Sequence, residues 1–228
     1  MRNSPSSADQ RPRVGAVHAL QNSIGPTDTA LHDNWPEADV AHLLDGSLYL
    51  DRSRGSADDA ELALRIERLI TYSAATGAQG ILFTGSFFGD AVKKAREHVD
   101  VPVLTSFDGV VDRALSLDRP LHVVSTAADS VGLLTAELTR EATRRAVSPS
   151  ITGTAVTAAF DALFGNDLEE HDRLIVNEVR GTRLDCAVVF AQFSMERALE
   201  ASVAATAAPV IGPAAEGIAL LHRVLTTI

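Results

Sequence analysis

His18 closes a short apolar run, Val14-Gly15-Ala16-Val17, and an imidazole titrates where proton transfer is useful at neutral pH. Asp45 follows a second run, Asp39 to Leu44, and can act as a base or orient a neighbouring hydroxyl. His171 lies in a helical stretch, available for a cleft contact or for capping. Asp108 and Glu216 follow strand-end turns, where carboxylates commonly cap the next helix. Among these titratable groups stand donor-rich segments: Gln21-Asn22-Ser23, Thr84-Gly85-Ser86, Ser125-Thr126 and Gln192-Phe193-Ser194. A strand-to-helix turn of this kind aims backbone N–H groups and hydroxyls at a carboxylate. Ser86 equally suits a helix N-cap, and Asn22 and Thr126 equally suit turns. Proton transfer beside a small bound anion is the chemistry that this set allows. The seven histidines lack HExxH-like spacing and Cys186 is the single cysteine, so no metal site is expected. No Ser-His-Asp order or G-x-S-x-G elbow points to hydrolysis.

Short β-rich runs alternating with helical patterns must position these residues. After Val14 to Val17 and Asp39 to Leu44, the spacing of Leu62, Ile66, Leu69 and Ile70 predicts a helix over 58–75. Gly80 to Thr84 reads as a strand, 89–98 as a helix, Val101 to Leu104 as a strand, and 109–117 as a helix closing this half. Leu121 to Ser125 then restarts the series. Apolar strands separated by amphipathic helices imply a parallel sheet covered on both faces. Such sheets bind ligands beyond the carboxyl ends of their strands.

The restart has a fixed register. Pro102-Val103-Leu104 matches Pro209-Val210-Ile211, Ile81-Leu82-Phe83 matches Val188-Val189-Phe190, and Val14 to Val17 matches Leu121 to Val124, each at 107 residues. Gly46-Ser47 against Gly153-Thr154 falls at the same offset. The expected architecture is α/β: two similar lobes from an internal duplication, each a roughly four-stranded parallel sheet flanked by helices, related by a pseudo-two-fold axis across a cleft. The first lobe is assigned to residues 13–118, with its C-terminal helix free to cross over, and the second to 119–228. Residues 1–12 are expected to be a disordered tail.

At its strand ends the chain resembles the aspartate/glutamate racemase superfamily. The matching stretches are Val17-His18-Ala19 with Pro26, Trp35-Pro36-Glu37-Ala38, Leu43 to Leu48, Gly80 to Gly89, His171 to Leu174, and Ala191-Gln192-Phe193-Ser194-Met195. The resemblance runs from about Arg13 to Leu225. It implies one thiol after the third strand of each lobe, the pair flanking a substrate's α-carbon. In this chain Gly85 stands at the first of those positions and Gln192 at the second. Cys186 lies roughly 20 Å back along an extended strand and reads as a small buried residue. Relatives that decarboxylate arylmalonates are similar in having glycine at the first position, but they keep the second thiol.

The resemblance implies an isomerase or lyase acting at the carbon α to a carboxylate of a small acid, without the two-thiol mechanism. Proton transfer then falls to His18 or Asp45, and Asn22, Ser23, Thr84, Ser86, Phe87, Ser125, Thr126, His171, Phe193 and Ser194 are the expected substrate contacts. Two alternatives stand beside it: an arylmalonate-decarboxylase-like enzyme, and a catalytically disabled carboxylate-binding relative whose glycine at position 85 is natural or engineered. Glycine there is expected to open space where a thiol would sit. No cofactor is expected. With a formal charge of −10 over 228 residues and no basic stripe, nucleic acid is not an expected partner. No apolar stretch reaches membrane-spanning length, so a cytoplasmic protein is expected. The resemblance further implies a homo-oligomer, dimer or higher.

Overall fold

Two four-stranded sheets, parallel throughout, organise the computed structural model, which describes residues 11–227. The first holds β1 (Arg13–His18), β2 (Asp39–Leu44), β3 (Gly80–Phe83) and β4 (Val103–Leu104) in the order β2-β1-β3-β4. The second repeats that order with β5 (Leu121–Ser125), β6 (Ile151–Ala155), β7 (Ala187–Phe190) and β8 (Val210–Ile211), as β6-β5-β7-β8. Val14 lies opposite Gly80 and Leu121 opposite Ala187, so the 107-residue register holds across β1/β3 and β5/β7.

One expected anchor fails. Gly153 lies inside β6, paired with Val123, whereas Gly46 follows β2 and precedes α2 (Ser47–Arg54). The cause is length: α1 (Ile24–Asn34) has 11 residues, and its counterpart α6 (Ala128–Arg144) has 17. The longer helix delays β6, and the offset is regained by β7. The N-terminal boundary also shifts. Arg11 donates to the carbonyls of Glu37 (3.0 Å) and Ala38 (3.1 Å), and Pro12 O accepts from Asp39 N at 2.8 Å. These two residues are pinned to the start of β2 and are not tail. The rest of the expected tail, 1–10, lies outside the described residues.

Leu62, Ile66 and Ile70 on α3 (Asp59–Ala75) and Val92 on α4 (Gly89–Ala95) cover one face of the first sheet, packing with Val17, Ile81 and Phe83. Asp58 starts α3 by accepting from Glu61 N at 2.8 Å, an N-cap that settles a donor the helix cannot satisfy itself. The opposite face is covered by Ala30 and Leu31 of α1 and by Ala214, Ile218 and Leu221 of α10 (Pro213–Thr226), the last helix of the chain. In exchange, α5 (Asp108–Leu115) leaves the first lobe. Its Val110 and Ala114 pack with Val123, Val189 and Ile211 of the second sheet, beside Leu134 and Leu138 of α6. The remaining face is covered by Ile175 and Val179 of α8 (Leu168–Arg180), with Met195 and Ala198 just ahead of α9 (Leu199–Ala205).

The exchanged helices α5 and α10 cross where Gly109 meets Glu216 and Gly217. A side chain on Gly109 would run into the backbone of that turn of α10. Glycine is required here by close approach, not by its φ angle.

Candidate active site

The two strand-end turns meet across the lobes. Thr84, Gly85 and Ser86 follow β3; Gln192, Phe193 and Ser194 follow β7; all six line one cavity. Asn22 and Ser23, in the turn after β1, complete its polar wall. Ser86 Oγ reaches Ser130 Oγ on α6 at 3.3 Å, a buried contact joining the lobes. The space in this partly open cavity is about 30 Å3, room for a water molecule or two.

Aromatic side chains roof the cavity. Tyr49 of α2 stacks on Phe164 of α7 (Thr157–Phe164), with centroids 6.1 Å apart, and lies 5.9 Å from Phe87. Phe160 stands 4.5 Å from Phe164, and the Arg52 guanidinium sits 4.3 Å over Phe87. No Lys, Arg or His lines the cavity among the described residues.

Behind the first-lobe turn is a file of polar side chains. His18 is fully buried, and its Nδ1 lies 2.9 Å from Thr84 Oγ1. Its Nε2 lies 2.8 Å from His42 Nδ1, and His42 Nε2 lies 2.8 Å from Asp28 Oδ1. Strand pairing explains the juxtaposition. Ala16 is opposite His42, and residues two apart on a strand share a face, so His18 and His42 meet diagonally under α1, which supplies Asp28. Burial above all, helped by the neighbouring His42, lowers the pKa of His18 to about 4, and Asp28 opposes this. His18 is therefore neutral at pH 7. With one proton on each imidazole, the Asp28 carboxylate, which only accepts, sets the direction of the file: His42 Nε2–H donates to Asp28, His18 Nε2–H to His42, and Thr84 Oγ1–H to His18.

The second-lobe turn is built differently. Gln192 Oε1 accepts from Ser125 Oγ, Thr126 N and Thr126 Oγ1, each at 2.8 Å, and from Ala127 N at 3.3 Å. Two of these donors are backbone N–H groups, so the oxygen and not the amide nitrogen must face them. Ser125 and Thr126 were expected to contact substrate. They line no part of the cavity, because the chain's own amide oxygen fills their donor nest.

Gly85 is also more constrained than expected. A Cβ there would lie 2.7 Å from Phe83 Cε1, 2.9 Å from Phe88 Cδ2 and 3.2 Å from Ala19 Cβ. The space a thiol would need is filled by two rings in edge-on contact. The expectation of an opened pocket is thus corrected by packing. Gly85→Cys should destabilise the protein by about 1–3 kcal/mol and confer no thiol-dependent activity. Urea unfolding and an activity assay with and without iodoacetamide check this.

Asp45 and His171 are not in the cavity. Asp45 accepts from Arg65 at 2.9 Å and from Ser47 N at 3.0 Å, and Ser47 Oγ adds a further bond. Although burial acts against ionisation, these partners together hold the carboxyl below its ordinary range, unsuited to a base. His171 is buried in α8 with Nδ1 2.7 Å from Asp172 Oδ1. Cys186 is buried just before β7, at the end of the sheet opposite the cavity, as its position in the strand implies. Asp108 accepts from Thr105 N at 2.7 Å in the turn before α5, and does not cap that helix as expected: the N-cap, Phe107, has no side-chain cap bond. Among the described residues no cluster of metal-ligating side chains occurs, and no helix is long and apolar enough to cross a membrane.

Glu196 has no counterpart in the sequence reading. Its carboxylate accepts from Ala214 N (3.2 Å) and Ala215 N (3.0 Å), at the start of α10. Burial raises its pKa to about 7, against the lowering effect of those two bonds. Nothing local in the sequence ties position 196 to a helix end 18 residues on. A group whose folded pKa is raised contributes stability that is full below its unfolded value and lost as pH climbs through the folded one. Glu196→Gln should therefore gain on the wild type by roughly 3 kcal/mol between pH 4.5 and 7. Urea midpoints of both proteins across that range test this, and a constant difference would contradict it.

With fold and cavity defined, the chain can be placed. The Asp/Glu/Hydantoin racemase family profile matches residues 27–221, most of the length, and the chain belongs to that family. No curated protein sequence matches it. Solved structures share the fold. An aspartate racemase from Picrophilus torridus superposes with a TM-score of 0.72 at 12% identity, covering 94% of each chain. An allantoin racemase from Klebsiella pneumoniae gives 0.68 at 15% identity, over 95% of this chain and 88% of its own. Glutamate racemase from Thermus thermophilus, in complex with β-chloro-D-alanine, gives 0.64 at 14%, over 95% and 81%.

Proposed function

We propose that the protein is a cofactor-independent enzyme that moves a proton at the carbon α to a carboxylate, working from one face only. The observation carrying this reading is asymmetric: Thr84, backed by His18, meets the cavity from the first lobe, while the second lobe presents a locked, non-titrating Gln192. Two-base racemisation needs an acid–base group on each side of the α-carbon. A site with one such group removes and returns the proton on a single face.

Asn22 and Ser194 supply the carboxylate contacts in this reading. Both line the cavity, and their side chains make no hydrogen bond among the described residues. Donors at that position stabilise the enediolate that forms as the proton leaves. The aromatic roof favours an acid with an apolar substituent, because among the described residues no Lys, Arg or His lines the cavity to meet a second carboxylate, and the Arg52 guanidinium sits over Phe87. A cavity of about 30 Å3 excludes such a molecule, so binding requires Phe87, Phe164 and Tyr49 to swing aside. Decarboxylation is a second reading favoured by the same asymmetry, since one donor suffices to protonate the enediolate left by loss of CO2.

The test is incubation in D2O with L-alanine, L-aspartate and (S)-2-phenylpropionate, followed by mass spectrometry. Deuterium at the α-carbon, fastest in the phenyl-substituted acid, is the expected result. No incorporation into any of the three, together with thermal stabilisation by them, would instead mark a carboxylate-binding protein without turnover.

A further inference from the structure

Asp28 and His42 take no part in the cavity wall, yet they end a continuous file of hydrogen bonds that begins there. The three links measure 2.9, 2.8 and 2.8 Å, and they run from a buried hydroxyl to a carboxylate whose side chain is 53% exposed. The side chain of His42 is 24% exposed, and that of His18 is fully buried. A buried histidine pair needs no such length to satisfy its own nitrogens. A path that changes from dry to wet along its course connects the cavity to solvent.

We infer that Thr84, His18, His42 and Asp28 form a proton relay, in which Thr84 Oγ1 exchanges protons with the substrate and Asp28 exchanges them with water. This rests on the reading of the cavity as a one-face proton-transfer site. As the Cα–H bond breaks, its electron pair stays on the substrate as the enediolate and its proton passes to Thr84 Oγ1. The Thr84 hydroxyl proton moves to His18 Nδ1, the His18 Nε2 proton to His42 Nδ1, and the His42 Nε2 proton to Asp28. Each intermediate group ends neutral, the two imidazoles have switched tautomer, and the carboxylate of Asp28 has become a carboxylic acid. Solvent then replaces that proton, and the return path delivers it to the same face.

His42 and Asp28 are positioning residues in this scheme, because neither touches substrate. Their effect is to hold His18 in the tautomer that leaves Nδ1 free to accept from Thr84. Asp28→Asn separates this role from a structural one: asparagine can accept from His42 or donate to it, so it keeps the contact but fixes neither tautomer, and it cannot take the proton.

The experiment is 15N NMR of histidine-labelled wild type and D28N at pH 7, with deuterium exchange into (S)-2-phenylpropionate measured on the same samples. The wild type should show His18 as a single tautomer protonated at Nε2. In D28N the His18 and His42 ring nitrogens should move towards a tautomer mixture, and the exchange kcat should fall ten- to a hundredfold with KM within threefold. An unchanged His18 pattern in folded D28N, or an unchanged kcat, would overturn the relay. Should the wild type exchange no substrate proton, the one-face reading fails, while the nitrogen shifts still decide whether Asp28 sets the His18 tautomer.

Discussion

Replacing His18 by asparagine is expected to slow α-proton exchange with solvent by at least about a hundredfold, the lower end of what a positioned acid–base group contributes. Thr84 cannot act alone, because a free hydroxyl gives up its proton too reluctantly at neutral pH. His18 Nδ1, 2.9 Å away and neutral at pH 7, supplies the missing acceptor. Asparagine at position 18 retains polarity but has no titrating nitrogen. The same change removes one buried and one partly buried hydrogen bond, so a loss of about 1–3 kcal/mol of stability should accompany it. Deuterium incorporation at 25 °C, well below the melting transition of the variant, separates the two effects. A variant that is folded and retains more than a tenth of the wild-type rate would exclude His18 from the chemistry.

Gly109→Ala should have the largest effect on stability, a loss of about 3 kcal/mol or more, at or beyond the upper end of ordinary overpacking. The obstruction is the backbone of α10 at Glu216 and Gly217, which cannot turn aside as a side chain does. Relief requires α5 and α10 to separate. Those helices are the ones exchanged between lobes, so the strain reaches both sheets. Gly89→Ala is the matched control, because a Cβ at that position meets nothing within 4 Å. It should be neutral or gain up to about 1 kcal/mol from helix propensity. Urea unfolding of both variants gives the comparison, and equal midpoints would contradict the packing described.

The central strands β1, β3, β5 and β7 were legible in the sequence because each is a short apolar run, as a parallel sheet buried on both faces demands, whereas the edge strand β6, Ile-Thr-Gly-Thr-Ala and partly exposed, carries no such run. The offset of 107 residues located the turns at Gly85 and Gln192, and these do share one cavity. The false anchor at Gly153 arose because helix length is free to drift on the surface while strand pairing is not. What Gly85 does was not legible, since a glycine reads as space until the rings of Phe83 and Phe88 are seen to occupy it. The hold of Ser125 and Thr126 on Gln192 was hidden for a related reason: a donor-rich turn looks the same whether its acceptor is a ligand or the chain itself. His42 left a weaker trace. Once β1 and β2 are paired in parallel, its place diagonal to His18 follows, but the order of strands had to be known first. Asp28 carries no signal of this kind, because its reach to His42 depends on how α1 lies across the sheet.

The most direct measurement is the configuration of (S)-2-phenylpropionate recovered after partial deuteration in D2O. With one acid–base group, and with Gln192 inert on the opposite face, label should enter while the S configuration is kept. Label appearing in equal amounts of both enantiomers would require a second acid or base in the second lobe, which lines the cavity with the bound amide of Gln192, the Ser194 hydroxyl and, among the described residues, no titrating side chain.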